Sequence, residues 1–240
     1  MQFIQARQQP GDYVVQNFTE MAAIYYRDPS LPLTTVPKDY WATPDDEKLL
    51  RQLNQDYRRI WFIPAQPDWW DDARFVEKFL ARTDERVLEQ PVSAFRLQLY
   101  VTPREFEPQM LPAHWRVGNA TLIGYRVEGA RDLRVTLRWR ADKKIESDLT
   151  VFVHLADAHN GVSAQHDGAP AFGLHPTHAW QPGEIIVDVH NLRVDAAPGA
   201  YGLIVGMYDP ATQQRVPVFD ANGKRLPEDR APLAPMTIAP

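Results

Sequence analysis

The chain has 240 residues, 44% of them hydrophobic and 24% charged, with a formal net charge of −5 and no cysteine. That balance is an ordinary globular protein's, long enough for one large domain or two modest ones. Without cysteine there are no disulfides, thiolate zinc sites or thiol catalysis, and an acidic chain with no Lys/Arg run lacks the clustered basic face that nucleic acid requires.

No apolar run approaches the ~20 residues needed to span a bilayer. The N-terminal MQFIQARQQPGDYVV has neither a basic stretch nor an apolar one, so it does not read as a signal peptide. This pattern fits a cytoplasmic chain, and equally a soluble piece whose membrane part lies outside it.

Asp12–Phe18 reads as a first strand, and Thr19 can cap a short helix through Tyr26. Leu33–Pro37 is β-branched and ends on proline, which predicts a second strand. Thr43-Pro44-Asp45-Asp46-Glu47 combines a cap hydroxyl, proline at the first helical position and carboxylates on the positive end of the dipole. Leu49, Leu50, Leu53 and Tyr57 follow at helical spacing. Arg59–Pro64 is a continuous apolar run, as expected of a strand buried on both faces. Asp68 is placed to cap a second helix with Asp71 and Asp72 in its first turn and Phe75, Val76, Phe79 and Leu80 on its core face. Strands at Arg86–Pro91 and Phe95–Val101 close the series. The order predicts a small three-layer α/β domain over residues 1–103, around a mostly parallel sheet. Asn17-Phe18-Thr19-Glu20 follows the first strand without a glycine, and no P-loop is present, so no nucleotide cofactor is expected.

Trp69-Trp70-Asp71-Asp72 has two readings. It is an aromatic platform beside carboxylates, suited to stacking on a sugar ring, or a helix start whose tryptophans pack on the sheet. The dipole accounts for both aspartates, which favours the second.

Thr102–Pro112 holds three prolines and no periodicity, and marks a domain boundary. Beyond it helical patterning disappears. Ala120–Glu128 and Leu133–Ala141 read as strands, the latter with Leu133, Val135, Leu137 and Trp139 inward against Arg134, Thr136, Arg138 and Arg140 outward. Leu149–Leu155, Glu184–Val189, Ala200–Tyr208 and a last edge strand at Met236–Ile238 continue the pattern. Residues 104–240 are therefore expected to form an antiparallel β-sandwich, Ig-like or jelly-roll-like. Tyr201 is placed to bond backbone as a tyrosine corner does, and Gly206 within a strand signals a bulge or a close backbone approach.

Six of the seven histidines fall within residues 150–209: His154, His159, His166, His175, His178 and His190, near Asp157, Asp167 and Asp188. Three or four convergent donors could hold zinc, yet no H-x-x-x-H or H-x-H pattern brings them together locally. Ser163 lacks a G-x-S-x-G elbow, and carboxylates ~5–10 Å apart across a cleft, as glycoside hydrolysis needs, are not something spacing reveals. Trp180, beside Pro182-Gly183, is a stacking platform or a plug at one end of the core. No catalytic, cofactor or metal set is assigned. The candidate ligand-binding surface is His154, His166, Asp167, His178 and Trp180, together with Trp69 and Trp70.

Several short runs occur in a recognisable order: Gly124–Arg126, Leu137–Ala141, Val151–Leu155, Gln165–Asp167 with Pro170, Thr177 with Trp180, Pro182–Glu184, Asp188, Pro198–Tyr201, Val205–Pro210 and Arg215-Val216. In that order they resemble the soluble C-terminal β-sandwich of bacterial membrane glycosyltransferases of the kind related to the dolichyl-phosphate-mannose protein mannosyltransferases. PGDYVV, IYYRDPSLPLTTVP, RRIWFIPAQPDWWDD and FRLQLY resemble the small α/β unit that follows the last membrane span there. The family's catalytic carboxylates lie in a loop between membrane helices, so none has a counterpart to carry over. The resemblance implies a non-catalytic accessory region on the extracytoplasmic face of the membrane. Its partners would be the membrane-embedded transferase portion and a glycan or glycosylated acceptor. A free-standing carbohydrate-binding protein is the alternative expectation, and a metal-dependent hydrolase built on the His154–His190 cluster is the third.

Overall fold

The structure is a computed structural model that describes residues 1–64, 74–92, 95–159 and 161–239. The fold is mostly β, with three sheets, and its contacts divide into two compact units, Met1–Gln109 and Met110–Pro240. The division falls inside the proline-rich Thr102–Pro112 stretch, beyond the expected edge at residue 103. Pro103–Phe106 is a short helix rather than linker. Phe106 is fully buried, and Arg104 donates to the carbonyls of Gln55 and Asp56.

The first unit runs α1 (Gln2–Gln5), β1 (Asp12–Gln16), α2 (Met21–Tyr26), β2 (Leu33–Thr35), α3 (Pro44–Asp56), β3 (Arg59–Ile63), α4 (Phe75–Thr83), β4 (Glu85–Val92), β5 (Phe95–Val101) and α5 (Pro103–Phe106). Its sheet has the order β2-β1-β3-β5-β4. β1 lies parallel to β2 and β3, but β3–β5 and β5–β4 are antiparallel. The sheet is thus mixed, not mostly parallel. β4 ends at Val92 and β5 starts at Phe95, a connection too short for the crossover that parallel neighbours need.

α3 begins as its sequence predicts. Asp46 N–H donates to Thr43 Oγ1 while the Asp46 carboxylate accepts from Thr43 N–H at 2.8 Å, a reciprocal capping box followed by Pro44 at the first helical position. α4 starts at Phe75 with Arg74 as its N-cap in a left-handed conformation. The expected start at Asp68–Asp72 lies outside the described residues. Alternation along β3 explains its unbroken apolar run. Ile60 and Phe62 join Leu50 and Leu53 of α3 and Val76, Phe79 and Leu80 of α4 in one core, while Trp61 and Ile63 join Val14, Leu97, Leu99 and Ile4 in another.

The second unit has no α-helix among its described residues. It contains β6 (Leu111–Val117), β7 (Ala120–Glu128), β8 (Asp132–Ala141), β9 (Thr150–Ala156), β10 (Val162–Gly168), β11 (Ile185–Arg193), β12 (Gly199–Tyr208), β13 (Val218–Phe219) and β14 (Ala231–Ile238). They form a five-stranded sheet, β11-β8-β7-β6-β13, and a four-stranded sheet, β10-β9-β12-β14. Every pairing is antiparallel. A single core takes Leu133, Val135, Leu137, Trp139, Ile186 and Leu192 from the first sheet and Val151, Val153, Leu155, Leu203, Val205 and Met207 from the second.

Two local expectations for β12 hold. The Tyr201 hydroxyl donates to the Ala197 carbonyl at 2.8 Å, a bond back along the chain of the tyrosine-corner kind. At Gly206 a Cβ would stand 2.4 Å from Phe152 Cζ, so glycine is what lets that ring lie against the strand. Among the described residues, no helix is long and apolar enough to cross a membrane.

Candidate functional site

The histidine-rich stretch folds into separate, internally bonded sets. His154 projects from β9, and its Nε2 lies 3.0 Å from Asp167 Oδ1 on β10, the neighbouring strand. His178 is exposed, and its Nδ1 lies 2.5 Å from Asp148 Oδ1. His159 sits in the exposed turn after β9, where Asp157 Oδ1 accepts the backbone N–H groups of His159 and Gly161. The same two bonds, Gly161's first, hold the Asp157 carboxyl below its usual range. His175 lies against Glu184. Among the described residues, no group of three or more histidine and carboxylate side chains is placed to hold a metal ion.

Trp180 was a candidate for stacking on a ligand. It is fully buried in the core of the second unit, with its indole N–H donating to the His175 carbonyl at 3.0 Å. The plug reading holds for it, and the stacking surface does not. Trp69 and Trp70 lie outside the described residues.

His166 and His190 do come together. β10 and β11 are edge strands of different sheets, and His166 Nδ1 lies 2.8 Å from His190 Nδ1. His190 Nε2 is in turn 2.9 Å from Asp188 Oδ2, while Asp188 Oδ1 accepts the Ala171 N–H at 3.2 Å. His190 and Asp188 are almost completely buried, and His166 is partly so. A carboxylate can only accept, so His190 Nε2–H donates to it. That leaves His190 Nδ1 with a lone pair for the His166 Nδ1–H. Among the described residues no nucleophile or second carboxylate is hydrogen-bonded into this chain, and burial, then neighbouring His190, depresses the His166 pKa.

A cleft of about 430 Å³ opens elsewhere in the second unit. β6 and β7 line one side with His114, Trp115 and Tyr125; the turn after β13 supplies Asp220 and Asn222, and β14 supplies Leu233. Tyr125 and Leu233 belong to the core and Trp115 packs on it, so the apolar floor is continuous with the interior. The polar rim is held before any ligand arrives. Asp220 Oδ1 accepts the N–H groups of Asn222 and Lys224, both at 2.9 Å, and Gly223 supplies the left-handed residue (φ 79°) that closes the turn. The second Asp220 oxygen has no protein partner among the described residues. Its volume falls in the range of small-ligand sites, about 300–1,000 Å³. Aromatic rings beside a fixed carboxylate can take the C–H face of a polyhydroxylated ring and bond its hydroxyls.

Sequence reasoning missed this cleft. The prolines of Thr102–Pro112 made the start of β6 read as linker, and residues 220–223 drew no reading. The available signal was Ala113, Trp115 and Val117 alternating with exposed His114 and Arg116.

No protein-family model matches the chain, and no curated protein is significantly similar to it. Nine chains among solved structures match. One is the C-terminal domain of wzt, with 14% sequence identity, 55% of this chain and 76% of that one covered, and a TM-score of 0.32. A likeness of that size carries no argument about fold or function.

Proposed function

We propose that this chain is a non-catalytic recognition region for carbohydrate, binding an uncharged sugar ring in the Trp115–Asp220 cleft. The observation that carries the reading is the cleft itself: an apolar, aromatic floor with a preorganised carboxylate on the rim and Asn222 beside it. Among the described residues no Lys or Arg lines it, so it offers an acidic sugar no lysine or arginine counter-charge. The histidine cluster supports the same reading by its bonding, since its side chains are held in pairs rather than converging on one reactive point. In this reading the two sheets of the second unit face each other as a β-sandwich around their shared core. The first unit is an α/β layer structure with a core on each face of its sheet.

The order of motifs in the chain supports a more specific role, as the extracytoplasmic accessory region of a membrane glycosyltransferase that presents glycan or glycosylated acceptor to the transferase portion. The genomic context tests that role: a multi-span segment upstream, or a neighbouring membrane transferase, is expected.

Titration of the protein with a panel of neutral, amino and acidic oligosaccharides, followed by ¹⁵N–¹H correlation spectra, tests the cleft. Shifts at Trp115, Tyr125 and the 220–224 turn with neutral sugars are expected. Asp220→Asn keeps an oxygen to close the turn and removes the charge, and should weaken binding about tenfold, equivalent to about 1.4 kcal/mol. A flat response across the panel refutes glycan binding here.

A further inference from the structure

The Asp188–His190–His166 chain does something the glycan reading does not require, and it stands independently of that reading. We infer that it is a proton-operated latch between the two sheets of the second unit, closed while the imidazole pair carries at most one extra proton and opened by the second.

The argument begins with the bond at 2.8 Å between two Nδ1 atoms. One of those nitrogens must donate and the other must accept. With Asp188 accepting at His190 Nε2, neutral His190 presents its Nδ1 lone pair to His166 Nδ1–H. A first added proton goes to His166 Nε2, on the partly exposed ring, and leaves the cross-sheet bond in place. A second has only His190 Nδ1 to occupy. Two N–H groups would then point at one another across 2.8 Å, and the rings must separate.

Other groups around the pair do not relieve that conflict. Asp188 from β11 and Asp167 from β10 are the carboxylates that favour charge on His166. Asp167 is already engaged by His154 of β9, and β8 presents only Leu137 and Val135 opposite Asp188 and His190. The turn after β10 adds no charged side chain. Its backbone is nonetheless tied to the latch, because Asp188 Oδ1 holds the N–H of Ala171. Ala171 and Phe172 are both left-handed without being glycine, at φ 52° and 58°. Such a conformation is costly and persists only where surrounding bonds enforce it. β10, the turn and β11 are thus held through one carboxylate and two imidazoles, at edges that share no ladder of backbone bonds.

The direction of the effect follows from the geometry, which leaves a second proton no place while the latch is closed, and burial lowers the His166 pKa in the same sense. Below the usual imidazole value of about 6.5 the unfolded chain takes up protons that the latched pair resists, so the latch contributes stability at higher pH and loses it as pH falls.

Hydrogen-exchange protection of the Val162–Gly168 amides, corrected for intrinsic rate and measured from pH 8 to pH 4.5, tests this in the full chain. Protection should fall tenfold or more towards low pH, relative to the β8 and β12 amides. In His166→Asn the side-chain amide can offer its nitrogen to the neutral His190 Nδ1 and, turned over, its oxygen to a protonated His190 Nδ1–H, so protection of β10 should become independent of pH. Unchanged protection in the wild type, or the same fall in His166→Asn, overturns the proposal. If that variant does not fold, imidazole ¹⁵N titration of the wild type decides. Coupled titration, with His190 Nδ1 protonating last, supports the latch, and two independent titrations near 6.5 overturn it.

Discussion

Asp84 closes α4 and is completely buried, and among the described residues its carboxyl is bonded by Thr83 and Asn54. Burial raises its pKa from 3.8 to about 7, against smaller lowering contributions from those two bonds. The geometry agrees with a carboxyl that keeps its proton. The single Thr83 hydroxyl proton goes to the Phe79 carbonyl at 2.8 Å, so the 2.5 Å contact between Thr83 Oγ1 and Asp84 Oδ2 is best donated by Asp84. Between about pH 4 and 7 the unfolded chain gives up this proton and the folded one retains it. Stability therefore falls as pH rises through that window, by about 4 kcal/mol at most. Asp84→Asn removes the titration, and its amide can donate to Asn54 Oδ1, a buried acceptor that lacks a partner. The variant is expected to be more stable than wild type at pH 8 and to lose this part of the pH dependence. Urea unfolding at pH 5 and pH 8 reads both, and an Asp84→Asn curve parallel to wild type would refute the assignment.

Along single elements, the most demanding position is β12. Gly206→Ala places a methyl against Phe152 and within 3.0 Å of the Asp229 carbonyl, and overpacking of this kind costs about 1–3 kcal/mol. Tyr201→Phe removes one hydroxyl bond to backbone and should cost about 1 kcal/mol. Chemical denaturation of both variants should rank them in that order; a neutral Gly206→Ala would mean the Phe152 ring moves freely aside. These features were legible because each is encoded locally: a glycine inside an apolar run, and a tyrosine just after Pro-Gly. The α3 start was legible for the same reason, with cap, proline and carboxylates adjacent in sequence. β10 was not, since Val162–Gly168 alternates Ser163, Gln165 and Asp167 with Ala164 and His166 and so carries little apolar signal. The mixed sheet of the first unit was misjudged because a strand–helix–strand rhythm specifies neither where β5 inserts nor its direction. The cleft depends on β6, the β13 turn and β14 meeting in space, over more than a hundred residues of sequence. No local pattern reports that.

Two compact units, each with its own apolar clusters, give the chain two places where stability can be changed separately. Asp84 belongs to Met1–Gln109, while the cleft and the His166–His190 pair belong to Met110–Pro240. A ligand that binds only the folded second unit stabilises that unit by about 2.7 kcal/mol at a hundred times its dissociation constant. The Asp84 substitution acts on the first. Thermal unfolding followed by residue-resolved hydrogen exchange should therefore show opposite patterns. A neutral oligosaccharide should raise protection in β8, β9 and β12 and leave β1 and β3 unchanged, and Asp84→Asn at pH 8 should do the reverse. Equal shifts in both sets of strands under either treatment would mean that the units unfold as one cooperative body, and the stability of each would then have to be argued from the whole chain.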